Sequence, residues 1–256
     1  MIEEGLGGNV AIVTAAAGMG IGRAVARRLA ESGVRVAVTD VHERRCDQVV
    51  HQLRGEFPAG VIRGYVLDVG NTQQVDDVVD AVNREIGPIR YLVNNAAVNW
   101  PGAVFDYPLK YWHRTIEVNL TGPWYLSRVA MSTMRDHGGG CIVNISSAAA
   151  DDGGAFGGEG VYAITKGALE TMTRSLAADG GPFGIRVNSL SMGIVTGTRF
   201  IDQHPEQALR ALAHVPLGRH PTTLDVAKAV TFLLSERSRC ITGDIVSVNG
   251  GYEMRK

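Results

Sequence analysis

A chain of 256 residues can form one large domain or two small ones, and 45% hydrophobic against 20% charged residues is the balance of a globular protein, not a fibrous or disordered one. The formal net charge of -1 gives no electrostatic reason to propose nucleic acid or an anionic membrane as partner. Three widely spaced cysteines, Cys46, Cys141 and Cys240, with no C-x-x-C, read as reduced thiols and not as a disulfide framework or a metal site.

The N-terminal MIEEGLGG carries acids where a secretory leader needs positive charge, and no apolar run approaches the ~18 residues of a membrane span. A cytoplasmic location is therefore expected. Strand-length apolar runs follow at 9–14 (NVAIVT), 34–40 (VRVAVTD), 61–68 (VIRGYVLD), 89–95 (IRYLVNN), 141–146 (CIVNIS), 185–190 (IRVNSL) and 244–249 (DIVSVN). Between them lie segments such as GRAVARRLAES and QVDDVVDAVNREIG, whose apolar residues recur at three and four and predict helices. Strands apolar at nearly every position, alternating with helices, predict a doubly wound three-layer α/β sandwich with a central, mostly parallel seven-stranded sheet. No linker or repeat interrupts the pattern, so residues 1–256 read as a single domain. Residues 148–160 and 191–215 each follow a strand, and loops at strand C-termini are where such sheets place ligands. The segment 194–215 reads as a short substrate lid over the pocket.

The first strand runs into TAAAGMGIGRAVARRLA, where Gly18, Gly20 and Gly22 allow a sharp turn and close backbone approach to a ligand. The free N–H groups of the helix that follows favour a diphosphate. The second strand ends at Asp40, twenty residues after Gly20, where a carboxylate can accept hydrogen bonds from an adenosine ribose. That points to NAD over NADP, because a carboxylate repels a ribose 2′-phosphate; Arg44 and Arg45 lie close enough to keep NADP open. Further on, Tyr162 and Lys166 stand four apart in YAITK. With seven tyrosines and four lysines in the chain, chance alone gives such a pair in roughly one of ten similar sequences. A helix puts both on one face, where an ammonium is expected to lower the phenol's pKa from its usual ~10 and let it exchange a proton.

The ordered landmarks complete the pattern: the glycine turn, Asp68 in LDV, NNAA at 94–97, Asn119 in VNLTG, NISS at 144–147, YAITK at 162–166, IRVNSLSMG at 185–193 and ITGDIVSVNGG near the end. Over essentially its full length the chain resembles the short-chain dehydrogenase/reductase family. The resemblance implies a Rossmann fold and hydride transfer between NAD(H) and a secondary alcohol or ketone. It also implies a catalytic tetrad of Asn119, Ser147, Tyr162 and Lys166, with Tyr162 as general acid and base. Lys166 is implied to bind the nicotinamide ribose, and Asn119 to hold a water that links Lys166 to solvent. The implied cofactor contacts are Gly18, Met19, Gly20, Ile21, Gly22, Asp40, Asp68, Val69, Asn95, Ala96, Tyr162, Lys166, Gly193, Ile194 and Thr196. Asp68 is implied to bond the adenine. A homotetramer is implied, or a homodimer, with the Asn119 and Tyr162 helices across a twofold axis.

Three departures from the family pattern stand out. The residue after Thr14 is Ala15, not glycine, and the closing GIG arrives one residue late, with Gly18 and Met19 taking the extra length. Ser147 precedes Tyr162 by two more residues than is common, so Ser146 and Ser147 compete for the catalytic role; Ser147 is chosen because the Gly-rich loop can absorb the insertion. Met192-Gly193 replaces the usual Pro-Gly and displaces the threonine expected at the nicotinamide amide, leaving Ile194 backbone groups to hold it, with Thr196 and Thr198 flanking Gly197. Asn99, Trp100, Ala148, Phe156 and Met192 are pocket candidates, and Asp151 and Asp152 at the rim disfavour anionic substrates. A 3-oxoacyl thioester, a sugar or polyol, or a secondary-metabolite ketone fits this reading. A dehydratase or epimerase, or a non-catalytic dinucleotide sensor or scaffold, is the competing one.

Overall fold

The computed structural model describes residues 5–154, 158–203 and 205–254, with the side chains of Phe200 and Asp202 outside the description. Seven strands form one sheet: β1 (Val10–Val13), β2 (Arg35–Asp40), β3 (Ile62–Val66), β4 (Ile89–Asn94), β5 (Gly140–Ile145), β6 (Ile185–Met192) and β7 (Ile245–Val248). Their order is β3-β2-β1-β4-β5-β6-β7, and every pairing is parallel, so the expected "mostly parallel" sheet is fully parallel. Chain direction across the sheet reverses between β1 and β4, and the crevice beyond the C-terminal ends of these strands is where this topology binds ligands.

Alternation along each strand feeds two cores. In β1, Ala11 and Val13 face one side, with Val25 and Leu29 of α1 (Ile21–Glu31), Val49 and Leu53 of α2 (Glu43–Glu56), and Val226 and Val230 further on. Val10 and Ile12 face the other, against Val75, Val79 and Val82 of α3 (Thr72–Glu85) and residues further along the chain. Each of these valine, leucine and isoleucine side chains removed from water stabilises the fold by about 1.5–3 kcal/mol. Local caps agree with the pattern: the Asn71 side chain accepts from Gln74 N at 3.2 Å to start α3.

Beyond β4 the chain forms α4 (Leu109–Ile116), a π-helical turn at Glu117–Thr121, and α5 (Gly122–Asp136). Such a turn breaks the regular ladder and is common at functional sites. After β5 come α6 (Ala149–Asp152) and the long α7 (Gly160–Gly180). After β6, the expected lid contains two short helices, α8 (Arg199–Gln203) and α9 (Pro205–Leu212). Then α10 (Thr223–Leu234) begins with a reciprocal Thr222–Asp225 capping box, and it supplies the Val226 and Val230 packed against α1. Among the described residues no helix is long and apolar enough to cross a membrane.

Candidate active site

The cofactor half of the crevice begins at Thr14. Its Oγ1 accepts from the N–H groups of Asn95 at 2.8 Å and Ala96 at 2.9 Å, while Asn95 Nδ2 donates to the carbonyls of Thr14 at 2.9 Å and Ala15 at 3.3 Å. Asn95 and Ala96 thus staple the end of β4 to the glycine turn. Ala15 takes φ +50, the one non-glycine residue at positive φ among those described, because the turn needs a left-handed residue whatever the sequence supplies. At Gly20 φ is +148, open to glycine alone in practice. A Cβ on Gly22 would stand 2.5 Å from the Ala15 carbonyl oxygen and 2.6 Å from Asn95 Nδ2. Gly18 has no heavy atom near its open face, and Met19 is exposed, so both form the outer tip of the lengthened turn.

The N-terminus of α1 fits a diphosphate. It has no side-chain cap and no acid in its first turn, and the first N–H returned into the helix is that of Ala24, to Gly20 O at 3.2 Å. The N–H groups of Ile21, Gly22 and Arg23 precede it at the positive end of the helix. Asp40, the last residue of β2, is nearly buried beside this turn and accepts from Ala17 N at 3.3 Å and His42 N at 3.2 Å. Arg44 and Arg45 are exposed on the first turn of α2. Asp68 is more committed than expected: Oδ1 accepts from Gly70 N at 2.9 Å and Oδ2 from Arg114 at 2.6 Å. The Arg114 guanidinium, which this pair holds above its ordinary pKa against the opposing effect of burial, was not singled out in the sequence. Val69 is buried, and its carbonyl comes so close to Gly122 that a Cβ there would lie 2.6 Å away.

The four tetrad residues converge at the C-terminal end of β5. Ser147 stands beside the Tyr162 phenol and acts to lower its pKa, while its Oγ accepts from Ala149 N at 3.2 Å. Ser146 points elsewhere, donating to Glu170 Oε1 at 2.7 Å, so only the second serine faces the tyrosine. Lys166 is buried, with Nζ donating to Ile145 O at 2.6 Å and lying 5.3 Å from the Tyr162 ring centroid. Asn119 is buried in the π-helical turn; its Oδ1 accepts from Val98 N at 2.8 Å, and its Nδ2 donates to Val98 O at 2.9 Å and Thr165 Oγ1 at 3.2 Å. The asparagine side chain therefore ties the segment after β4 to α7. Asn94 lies deeper, donating to Ser127 at 3.0 Å and to Asn144 at 2.9 Å, which positions β4 against β5.

The electrostatics correct one expectation. Burial, helped by the negative charge of Glu159, pushes the Tyr162 phenol up to about 12, and Ser147 beside it only partly opposes this. The lysine does not produce the expected drop, because its ammonium lies over the ring face and is bound to a carbonyl. Burial in turn pulls Lys166 down to about 8, against the charge of Glu170. Tyr162 in the free protein is therefore a neutral phenol with its proton in place.

On the substrate side, Asn99 Nδ2 donates to Glu159 Oε1 at 2.6 Å, and Trp100 stacks on Tyr111 at 5.0 Å. Ala148 and Met192 are buried and joined by the bond from Ala148 N to Met192 O at 2.8 Å. Phe156 lies outside the described residues. Asp151 and Asp152 are exposed on α6. Gly193 packs against Asn249, where a Cβ would meet the Asn249 Cβ at 3.3 Å. Ile194 is half-buried beside it. Thr196 is turned away, its hydroxyl bonded to Pro221 O at 3.3 Å, whereas the Thr198 methyl faces Gly20, 3.9 Å from where a Cβ would stand. Of the two threonines flanking Gly197, Thr198 is therefore the one beside the glycine turn. Among the described residues no group of three or more His, Cys, Asp and Glu could hold a metal.

A family model described as enoyl-(acyl carrier protein) reductase matches residues 15–253. A short-chain type dehydrogenase/reductase from Mycobacterium ulcerans superposes with a TM-score of 0.89 at 28% identity, over 96% of this chain and 90% of that one. The chain belongs to the short-chain dehydrogenase/reductase family. Among curated relatives, 2-(S)-hydroxypropyl-CoM dehydrogenase 3 of Xanthobacter autotrophicus is 33% identical over 95% of this chain and 96% of its own length. D-threitol dehydrogenase of Mycolicibacterium smegmatis is 34% identical over 98% of this chain and 95% of its own. This short-chain dehydrogenase/reductase is an oxidoreductase acting on CH–OH groups and the corresponding ketones.

Proposed function

We propose that this short-chain dehydrogenase/reductase uses NAD(H) in preference to NADP(H), with Tyr162 as the proton donor to a ketone oxygen and Ser147 as hydrogen-bond donor to the same atom. The observation that carries the reading is the placement of Ser147 and Lys166 around the Tyr162 phenol, with Lys166 Nζ 5.3 Å from its ring centroid, at the C-terminal end of β5. Bound in the crevice, the nicotinamide cofactor supplies or accepts hydride at the substrate carbon. The α1 N-terminus would hold its diphosphate, Asp40 its adenosine ribose, and Lys166 its nicotinamide ribose. A phenol held neutral by burial is the acid form that reduction requires, and general acid catalysis of this kind contributes roughly 10²–10⁴-fold. For oxidation of an alcohol Tyr162 would first have to release that proton and then act as the base.

The preferred substrate class is a neutral, hydroxyl-bearing secondary alcohol such as a sugar or polyol. The Asn99–Glu159 pair offers polar groups at the rim, and Asp151 and Asp152 add negative charge there that disfavours a 3-oxoacyl thioester. A cytoplasmic homotetramer is part of the same reading; exposed Trp124 on α5 and Ile164 on α7 support packing of these helices against another copy. The test is absorbance of reduced nicotinamide with NAD or NADP across a panel of polyols, hydroxyacyl thioesters and cyclic alcohols, beside Asp40→Ser. Turnover with NAD that shifts toward NADP in the variant supports Asp40 as selector. A native preference for NADP moves the ribose contact to Arg44 and Arg45.

A further inference from the structure

Tyr162, Lys166 and Glu170 stand at successive four-residue steps on α7, so one helix face carries a phenol, an ammonium and a carboxylate in a column. Glu170 is 5% exposed and Lys166 2% exposed, and a carboxylate so placed needs both hydrogen bonds and a counter-charge. The hydrogen bond comes from Ser146, 1% exposed, whose hydroxyl donates to Glu170 Oε1 at 2.7 Å. Lys166, one turn away on the same helix, is a counter-charge on which this carboxylate acts.

Among the described residues, the other elements around Lys166 present these groups. From β5 it meets the Ile145 carbonyl, with Ser146 next in the chain; from the π-helical turn, Asn119 reaches its neighbour Thr165. On α6, Asp151 and Asp152 are exposed, and on α4 the Arg114 guanidinium is taken by Asp68. Glu159, at the N-terminus of α7, acts on Tyr162, whereas the charge that acts on Lys166 is that of Glu170.

We propose that Glu170 is the positioning residue of Lys166: oriented by Ser146, its carboxyl group one turn along α7 keeps the buried lysine as an ammonium against the cost of desolvation. Ser146, the serine turned away from Tyr162, thereby acquires a role of its own. The proposal rests on Lys166 belonging to the active site, but its direct test needs no turnover. The chain has four lysines, so protein labelled with ¹³C at lysine Cε gives a countable set of resonances, with that of Lys166 identified by its loss in Lys166→Arg.

The pH midpoint of this resonance is measured in wild type, Glu170→Gln, Glu170→Asp and Ser146→Ala. Loss of an opposite charge at this range is expected to lower the Lys166 midpoint by about one pH unit in Glu170→Gln and by less in Ser146→Ala, with Glu170→Asp returning most of it. In turnover, the alkaline limb of kcat/KM is expected to move down with it. Circular dichroism establishes which variants are folded; should Glu170→Gln fail to fold, Ser146→Ala and Glu170→Asp carry the same comparison. A Lys166 midpoint unchanged in the folded variants would overturn the proposal and leave Glu170 with a packing role alone. Absence of turnover with an intact midpoint shift would instead count against the functional reading and leave this one standing.

Discussion

Ala15 offers a direct test of strain in the glycine turn. A side chain in the left-handed region costs roughly 1–2 kcal/mol because Cβ crowds the following carbonyl, and Ala15 holds φ +50. Replacing it with glycine removes that strain but gives the unfolded chain more freedom, which costs about 0.4–1 kcal/mol. The methyl is only half-buried, so little packing is lost with it. The difference is a net gain of about 0.5–1 kcal/mol, and for a chain of this size each kcal/mol moves Tm by about 2–4 °C. Ala15→Gly is therefore expected to raise Tm by about 1–4 °C in thermal unfolding followed by circular dichroism. The control is Ala16→Gly: Ala16 is fully buried and has no positive φ, so the same substitution there loses packing and gains only unfolded-state entropy. A fall in Tm for Ala15→Gly equal to that of the control would refute the strain argument.

Gly22→Ala is expected to act in the opposite direction, because its Cβ meets the Ala15 carbonyl and Asn95 Nδ2 and must displace the turn. Overpacking of this kind costs about 1–3 kcal/mol, and NADH titration by fluorescence should show affinity weakened roughly tenfold or more. Stability should also decline at alkaline pH. Cys46 is raised to about 11, and Cys141, Tyr65 and Tyr162 to about 12, all chiefly by burial. The folded state keeps these protons after the unfolded chain has released them, so their contribution is complete below about pH 9 and is lost as pH rises toward 12. Tyr162→Phe removes one such group, and its Tm is expected to fall less than that of wild type between about pH 10 and 11.5; equal slopes would show that the fold does not hold the phenol's proton.

The sheet was legible because its strands are apolar on both faces, as Val10 to Val13 illustrate, and a parallel sheet covered on both sides demands that pattern. The glycine turn and the Tyr162–Lys166 spacing were equally readable, since each depends on local geometry alone. Three features were not. Arg114 reaches Asp68 across 46 positions of sequence, and neither residue type announces its partner. The π-helical turn at Asn119 arises in a stretch whose residues suit an ordinary helix. Burial, which decides the state of Tyr162, depends on how elements from the whole chain pack, and the sequence spacing displayed only the lysine, which does not offset it. Glu170 is the intermediate case: its place four residues after Lys166 was visible, but the Ser146 hydrogen bond that gives it meaning was not.

The most direct test of the account is a single-turnover experiment in which protein preloaded with NADH is mixed with a ketone identified from the alcohol panel, wild type beside Tyr162→Phe, and nicotinamide absorbance is followed. NADH affinity close to wild type with the reduction rate lowered about 10²-fold or more is the expected result, since the variant keeps the crevice and loses only the proton. Reduction by Tyr162→Phe within a few-fold of wild type would contradict the assignment of Tyr162 as the proton donor.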